Sequence, residues 1–309
     1  MTDLEIAGFA VRSLLLEASL APKPGLVTPY NNGSHKDMNF QAFVKSALAL
    51  IHCFETCAAV GRDFAGLPPE DALPSLRKAG LQGEKAMYRV TEGVNTHKGA
   101  IYLLGFLCAA VGRALGQSDA LSGGVPPPRD LARSAGSFVR GTVQRELVSL
   151  ARKAPTAFTA GERAYRDCGF TGARGEVEGG YPLTLEALSY LDTQLSFTQL
   201  QLPSCRLKDA LVDTFFFIVA RNSDTNLYAR GGLEGVETAK TLAQEVLRSG
   251  GVSTPQGREK IRSAEKIFVQ KNLSPGGSAD ILSSTVFLLQ IMELAIYAQD
   301  AVSLAGNEE

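Results

Sequence analysis

Two long apolar runs, residues 99–112 and 281–298, limit what this chain can fold into. Neither alternates apolar with polar positions, as a half-buried strand would, and both are long for a buried strand. The first is too short to cross a bilayer, and the second carries Gln290 and Glu293. Both are therefore expected as buried core helices, with no membrane partner. The N-terminus shows no basic stretch followed by a hydrophobic one, so no signal peptide is expected.

Helical periodicity recurs along the chain. Ile6, Phe9, Ala10, Leu14 and Ala18 share one face over residues 4–20, and the Pro22-Lys23-Pro24-Gly25 stretch ends that helix. Phe43, Ala47, Leu50 and Phe54 do the same over residues 40–60. Further helices are expected at 75–91, 98–115, 130–152, 184–202, 207–220, 233–248, 255–270 and 280–299. Pro255 suits a first helical turn. No run of alternating strands and no short repeat is found. The expected fold is all-α, a single compact multi-helix domain spanning 1–309, with about ten helices. The Gly- and Pro-rich segment 118–129 reads as a linker or, preferably, a surface loop.

Charge and cysteine content narrow the function. Lys and Arg number 31 against 32 Asp and Glu, so nothing drives nucleic-acid binding. The 5 cysteines form no tight framework and suggest reduced thiols in a cytoplasmic protein. Cys53 and Cys57 lie four apart beside His52, but further metal ligands are not evident, and ordinary core cysteines fit better.

The chemistry-bearing residues fall at helix ends. Gly93-Val94-Asn95-Thr96-His97-Lys98-Gly99-Ala100 opens directly into the first apolar run. Backbone N–H groups at a helix start are unpaired and attract anions, and Lys98 adds positive charge. The plainer alternative is a cap by Asn95 or Thr96, with His97 and Lys98 solvated. Residues 28–38 form a turn-rich loop carrying His35, Lys36 and Asp37, with Lys23 just upstream. Ser274-Pro275-Gly276-Gly277-Ser278-Ala279-Asp280 is a glycine-rich turn before a helix, open to a phosphate, or simply a turn capped by Ser278. It lacks the lysine of a Walker loop.

Asp224-Thr225-Asn226, with Arg221 and Arg230 nearby, suits Mg²⁺–phosphate binding, or is a turn with a surface ion pair. Arg174-Gly175-Glu176-Val177-Glu178 sets two acids two apart; in a loop both could face one ion, or one could be a general base, and a solvated charge cluster is the alternative. Glu84 shares a helix face with Thr91. Of the 3 histidines, His52 reads as structural, while His35 and His97 sit in polar loops beside lysines.

Six motifs together resemble the triphosphoribosyl-dephospho-CoA synthase family. They are Pro22-Lys23-Pro24-Gly25-Leu26-Val27; Asn32-Gly33-Ser34-His35-Lys36-Asp37-Met38; Gly93 to Ile101; Arg174-Gly175-Glu176 with Gly180-Tyr181-Pro182; Asp224-Thr225-Asn226 with Arg230-Gly231-Gly232; and Ser274 to Asp280. Each is weak alone, but they come in the family's order across residues 7 to 300. Ser34 and Tyr181 depart from the Ala and Phe expected there.

The resemblance implies an all-helical transferase that joins ATP to 3′-dephospho-CoA and releases adenine. Its product is the precursor of the prosthetic group on the acyl carrier subunit of citrate lyase or malonate decarboxylase. On this reading Lys23, Lys36, Lys98, Arg230 and the 274–280 turn, including Gly276, Gly277 and Ser278, bind the substrates' phosphates. Asn95, Thr96, Arg174 and Asn226 join the substrate-binding set. Asp37, Asp224 and Asp280 are candidates for contact with Mg²⁺, expected with ATP. Glu84, Glu176 and Glu178 are candidates for the base, and His97 or His35 for protonating adenine or binding phosphate. Partners are ATP and 3′-dephospho-CoA, with a downstream carrier-protein transferase and a homo-oligomer kept open. Two other readings stay open: an all-α Mg²⁺-dependent nucleotide phosphohydrolase, and a non-catalytic nucleotide-binding module.

Overall fold

The computed structural model describes residues 1–117, 125–149, 158–195 and 205–305. Among these residues the chain is helical, without a strand, in the order α1 (Asp3–Ser19), α2 (Phe40–Ala49), α3 (Ile51–Asp63), α4 (Leu73–Val90), α5 (Lys98–Gln117), α6 (Pro128–Ser137), α7 (Thr142–Val148), α8 (Ala160–Cys168), α9 (Gly172–Glu178), α10 (Pro182–Gln194), α11 (Cys205–Val219), α12 (Thr225–Arg248), α13 (Pro255–Gln270) and α14 (Gly276–Ala305).

The helices start where side chains can take up the unpaired N–H groups of a first turn. Thr2 with Glu5 and Thr159 with Glu162 form reciprocal capping boxes for α1 and α8. Asn39 caps α2, and Thr254 caps α13 ahead of Pro255.

The two apolar runs become the inner helices α5 and α14, which pack on each other inside a shell that includes α1, α3, α4, α6, α10 and α11. Leu103, Leu104, Leu107 and Cys108 of α5 and Leu282, Phe287 and Leu288 of α14 are fully buried. The α3–α5 crossing is backbone against backbone. A Cβ at Gly61 would lie 1.9 Å from the Ala109 carbonyl oxygen, and one at Gly112 2.0 Å from that of Ala58. Only glycine permits that approach. Segments Phe40–Asp63 and Lys98–Gln117 are apolar and long enough to cross a membrane by composition; 72% of the second one's apolar window is buried inside the fold, as in a core helix.

Several boundaries differ from the periodicity, each for a local reason. The helix expected at 40–60 breaks at Leu50, which separates α2 from α3. That at 130–152 is interrupted before α7, where Gly141 adopts φ +71°. No helix is expected over 159–180, yet the segment contains α8 and α9. The helix expected from 233 starts eight residues earlier, at Thr225, and kinks at Gly232 (φ 60°, ψ −160°), a conformation essentially restricted to glycine. The last helix begins at Gly276 rather than 280. Of the expected loop 118–129, residues 118–124 lie outside the described residues, and Pro128 and Arg129 open α6. Residues 196–202 of the expected helix 184–202 also lie outside them; α10 ends at Gln194.

Candidate active site

Three helix N-termini converge. Asp224 caps α12 through Oδ1, which accepts from the N–H groups of Asn226 (2.8 Å) and Leu227 (3.2 Å). Its Oδ2 accepts from the backbone N–H and hydroxyl of Ser278, at 2.8 and 2.9 Å, in the first turn of α14. One buried carboxylate thus pins α12 to α14. The start of α14 also meets α5: a Cβ at Gly99 would sit 2.1 Å from Asp280 Oδ2. Gly99 is the residue type that lets this carboxylate lie against the α5 N-terminus.

The carboxyl group of Asp280 is enclosed, although the residue as a whole keeps some solvent contact. Burial, then the charges of Asp224 and Glu17, push its pKa well above the usual carboxylate range, against the opposing effect of the Ala100 N–H. Lys23, 2% exposed, ion-pairs with Glu17 and donates to the Glu17 carbonyl at 2.5 Å. Burial lowers the Lys23 pKa, while Glu17 opposes the shift.

His97, 3% exposed, completes the cluster where the chain enters α5. Its Nδ1 lies 2.7 Å from Ser46 Oγ, and the Thr96 hydroxyl donates to that same oxygen at 2.7 Å. With Thr96 donating to it, Ser46 Oγ can give its own proton to Nδ1, an arrangement that puts the ring proton on Nε2. Nε2 is buried and has no hydrogen-bond partner. Phe43 meets the ring edge-on, centroids 5.1 Å apart. Burial, helped by the Lys23 charge, lowers the His97 pKa to about 3. The imidazole is therefore neutral at ordinary pH, and its Nε2 is buried without a partner. Asn95, as expected, caps α5: its side-chain oxygen accepts from the Lys98 N–H at 3.1 Å.

The other sequence candidates separate into groups. His35 has both ring nitrogens engaged: Nδ1 accepts from Arg230 at 3.1 Å, and Nε2 lies 2.8 Å from Ser274 Oγ. Arg230 also donates to Ser34 O (3.2 Å) and Asn272 Oδ1 (2.9 Å), so it ties the 32–35 loop to the turn before α14. Lys36 and Asp37 are exposed on that loop, with Asp37 3.7 Å from His35 Nδ1. Lys98 is half-exposed and pairs with Glu84 at 3.0 Å. Gly276 packs against the Asn226 amide, which lies 3.0 Å from where a Cβ would be.

Glu176 and Glu178 lie on helix α9, not in a loop, and two residues apart on a helix point to different sides, so they do not share one ion. Glu176 Oε1 accepts from the N–H and hydroxyl of Thr184 at 2.8 and 2.9 Å, in the first turn of α10. Glu178 accepts from Val143 N–H at 3.4 Å. Arg174 pairs with Glu146 at 3.3 Å. Arg221 lies 3.6 Å over the Phe217 ring instead of beside Arg230. His52 is on the surface of α3, 3.2 Å from Glu55, while Cys53 and Cys57 are buried thiols.

Among the described residues no group of three His, Cys, Asp or Glu could hold a metal ion. Asp224, one of the candidates for Mg²⁺ contact, has both carboxylate oxygens occupied by donors. The sequence reading missed Glu17 and Ser46. Glu17 falls one turn before the proline break that places Lys23, and Ser46 sits inside an amphipathic helix with no local sign of function.

The all-α fold brings cations, an enclosed acid and a buried imidazole together at converging helix starts. The chain matches the family described as ATP:dephospho-CoA triphosphoribosyl transferase (CitG) over residues 3–298 and belongs to it. It is accordingly a transferase of the triphosphoribosyl-dephospho-CoA synthase class. A Citrobacter koseri protein named as a 2-(5''-triphosphoribosyl)-3'-dephosphocoenzyme-A synthase is 41% identical over 286 residues, covering 92% of this chain and 90% of that protein. A crystal structure from Archaeoglobus fulgidus, described as a triphosphoribosyl-dephospho-CoA synthase, aligns with TM-score 0.47 and 16% identity over 78% of this chain and 97% of that one.

Proposed function

We propose that this enzyme transfers the triphosphoribosyl group of ATP to a ribose hydroxyl of 3′-dephospho-CoA and releases adenine at the His97–Asp280–Lys23 cluster. The carrying observation is the buried, unpartnered Nε2 of His97. An unpaired buried donor costs about 1–3 kcal/mol. A substrate acceptor would remove that cost.

The triphosphate is assigned to the start of α14, where the N–H groups of Gly276 and Gly277 favour an anion. Lys36 lies on the neighbouring loop. Asp280, about one turn further along α14, is next to the sugar. Its raised pKa suits it to take the proton from the attacking hydroxyl. It replaces Glu84, Glu176 and Glu178 as first choice for the base, because those three are engaged by Lys98, Thr184 and Val143. The glycosidic bond breaks through an oxocarbenium-like state, as in glycoside hydrolysis. His97, held neutral, hydrogen-bonds through Nε2–H to a ring nitrogen of the departing adenine, and the proton that Asp280 takes from the attacking hydroxyl balances the one adenine gains on leaving. The Lys23–Glu17 pair acts on both groups: the Lys23 charge helps keep His97 neutral, and the Glu17 charge helps hold the Asp280 pKa up.

Mg²⁺ fits only as a guest of the triphosphate, a common arrangement for this ion. The exposed Asp37 carboxylate would contact it, and the ion would neutralise phosphate charge. The product would serve as prosthetic-group precursor for the acyl carrier subunit of citrate lyase or malonate decarboxylase, in a cytoplasm that keeps the cysteines reduced.

Single-turnover adenine release in Asp280→Asn and Glu176→Gln tests the assignment. Asp280→Asn is expected to lose about 10²-fold or more in rate, with a smaller loss in Glu176→Gln. A wild-type rate in Asp280→Asn would remove Asp280 as the base.

A further inference from the structure

Arg230, His35 and Ser274 form a directed series of hydrogen bonds beside the start of α14. A guanidinium only donates, so Arg230, 3.1 Å from His35 Nδ1, fixes that nitrogen as an acceptor. The neutral ring then carries its proton on Nε2 and gives it to Ser274 Oγ at 2.8 Å. The Asp37 carboxylate, 3.7 Å from Nδ1, is too far for a hydrogen bond. Burial and the Arg230 charge lower the His35 pKa, against the pull of Asp37, in keeping with a neutral ring. Ser274 Oγ thus accepts from His35, and its own proton has no acceptor among the described residues. The residue is 2% exposed, so that proton is an enclosed donor without a partner.

Packing holds the three residues in place. A Cβ at Gly25 (φ +77°) would lie 2.3 Å from the Leu273 carbonyl oxygen, so the loop that carries His35 is seated on the residue before Ser274. Ser34 donates from Oγ to Phe268 O at 3.1 Å, and its N–H donates to Gly25 O at 3.2 Å. Ser274 in turn precedes Pro275, whose carbonyl accepts from Ser278 and Ala279 N–H in the first turn of α14. The N–H groups of Gly276 and Gly277 have no acceptor among the described residues. The Ser274 hydroxyl is therefore a third unpaired donor at this helix start.

We infer that His35 is a positioning residue: held by Arg230, it turns the Ser274 hydroxyl into a donor to a phosphate oxygen of ATP. The inference rests on the proposed reaction, which places the triphosphate at this helix start. Ser274 touches the substrate, and His35 acts through it. With its Nε2–H given to Ser274, His35 is not the group that meets the departing adenine, which leaves that role to His97.

Calorimetric titration of ATP and of 3′-dephospho-CoA, each alone, into the full chain tests this without turnover. Ser274→Ala should bind ATP about tenfold more weakly or worse, with 3′-dephospho-CoA affinity and melting temperature unchanged. His35→Ala should show a similar loss. His35→Gln, whose amide can accept from Arg230 and donate to Ser274, should recover most of it. Ser274→Ala/His35→Ala should bind ATP no more weakly than Ser274→Ala, because His35 acts only through the hydroxyl. ¹⁵N spectra of the wild-type His35 ring should show the Nε2–H form. Wild-type ATP affinity in Ser274→Ala, an equal loss for 3′-dephospho-CoA, additive losses in the double variant, no recovery in His35→Gln, or an Nδ1–H ring each overturns the assignment. The expected binding pattern with no adenine released from the two substrates together would refute the reaction and leave the Ser274 contact standing.

Discussion

Ser46 Oγ stands 2.7 Å from His97 Nδ1 and accepts from the Thr96 hydroxyl at the same distance. Two residues adjacent in sequence, Thr96 and His97, are thus joined through a side chain from another helix, and where Ser46 donates to Nδ1 the ring proton sits on Nε2. That nitrogen is buried without a hydrogen-bond partner.

Removing the ring should cost catalysis more than binding. His97→Gln is expected to lower kcat by about 10²–10³-fold with little change in KM for ATP, the usual range for a lost donor to charge that develops in the transition state. Ser46→Ala should lose a smaller factor, because it frees the tautomer without removing the donor. ¹⁵N spectra of the imidazole give an independent readout: a single Nε2–H form in wild type and a mixture in Ser46→Ala. The same tautomer in both would contradict the relay.

The neutral state of His97 should show in acid stability. Its folded pKa of about 3 lies below the unfolded value of 6.5. Between those pH values the unfolded chain binds a proton that the folded chain does not, so stability falls as pH falls through that window. At about 1.4 kcal/mol per unit, the His97 contribution at pH 4.5 is a loss of roughly 2.7 kcal/mol. Chemical denaturation of His97→Gln should therefore depend less steeply on pH than wild type between about 6.5 and 3.5. Parallel curves would contradict the shift.

Glu17 and Lys23 are a buried pair whose members depend on each other. Lys23→Met leaves the Glu17 carboxylate uncompensated and should cost about 3–5 kcal/mol. Lys23→Met/Glu17→Leu should recover much of that stability, since apolar replacement of a buried pair is often neutral. Activity should not return, because the Lys23 charge that helps keep His97 neutral and the Glu17 charge that helps hold up the Asp280 pKa are both gone. A fully active double variant would reduce the pair to a structural role.

Gly99 tests the contact between α5 and α14. In Gly99→Ala the added methyl would overlap Asp280 Oδ2, 2.1 Å from the new Cβ. Overpacking of this kind costs about 1–3 kcal/mol, read as a lower melting temperature, and it displaces the proposed base, read as a lower kcat. An unchanged kcat would separate Asp280 from the chemistry.

The helical character of the chain was legible because a helix announces itself in every few residues, as in the 99–112 and 281–298 runs. The breaks were harder to read. Leu50 interrupts a helix without glycine or proline, and Gly232 kinks α12 without ending it. At the site, the motifs located Lys23, His97 and Asp280, since each sits in a polar stretch at a helix end. Their roles were not legible. Whether a carboxylate is engaged depends on distant partners: Thr184 for Glu176, Ser278 for Asp224, Lys98 for Glu84. Ser46 acquires meaning only once helices far apart in sequence are packed.

The most direct test is product analysis by mass spectrometry after incubating the enzyme with ATP, Mg²⁺ and 3′-dephospho-CoA. The expected result is free adenine and a 3′-dephospho-CoA adduct carrying the intact triphosphoribosyl group, formed only when both substrates are present. Phosphate or pyrophosphate released from ATP without adenine, or adenine released without 3′-dephospho-CoA, would contradict it.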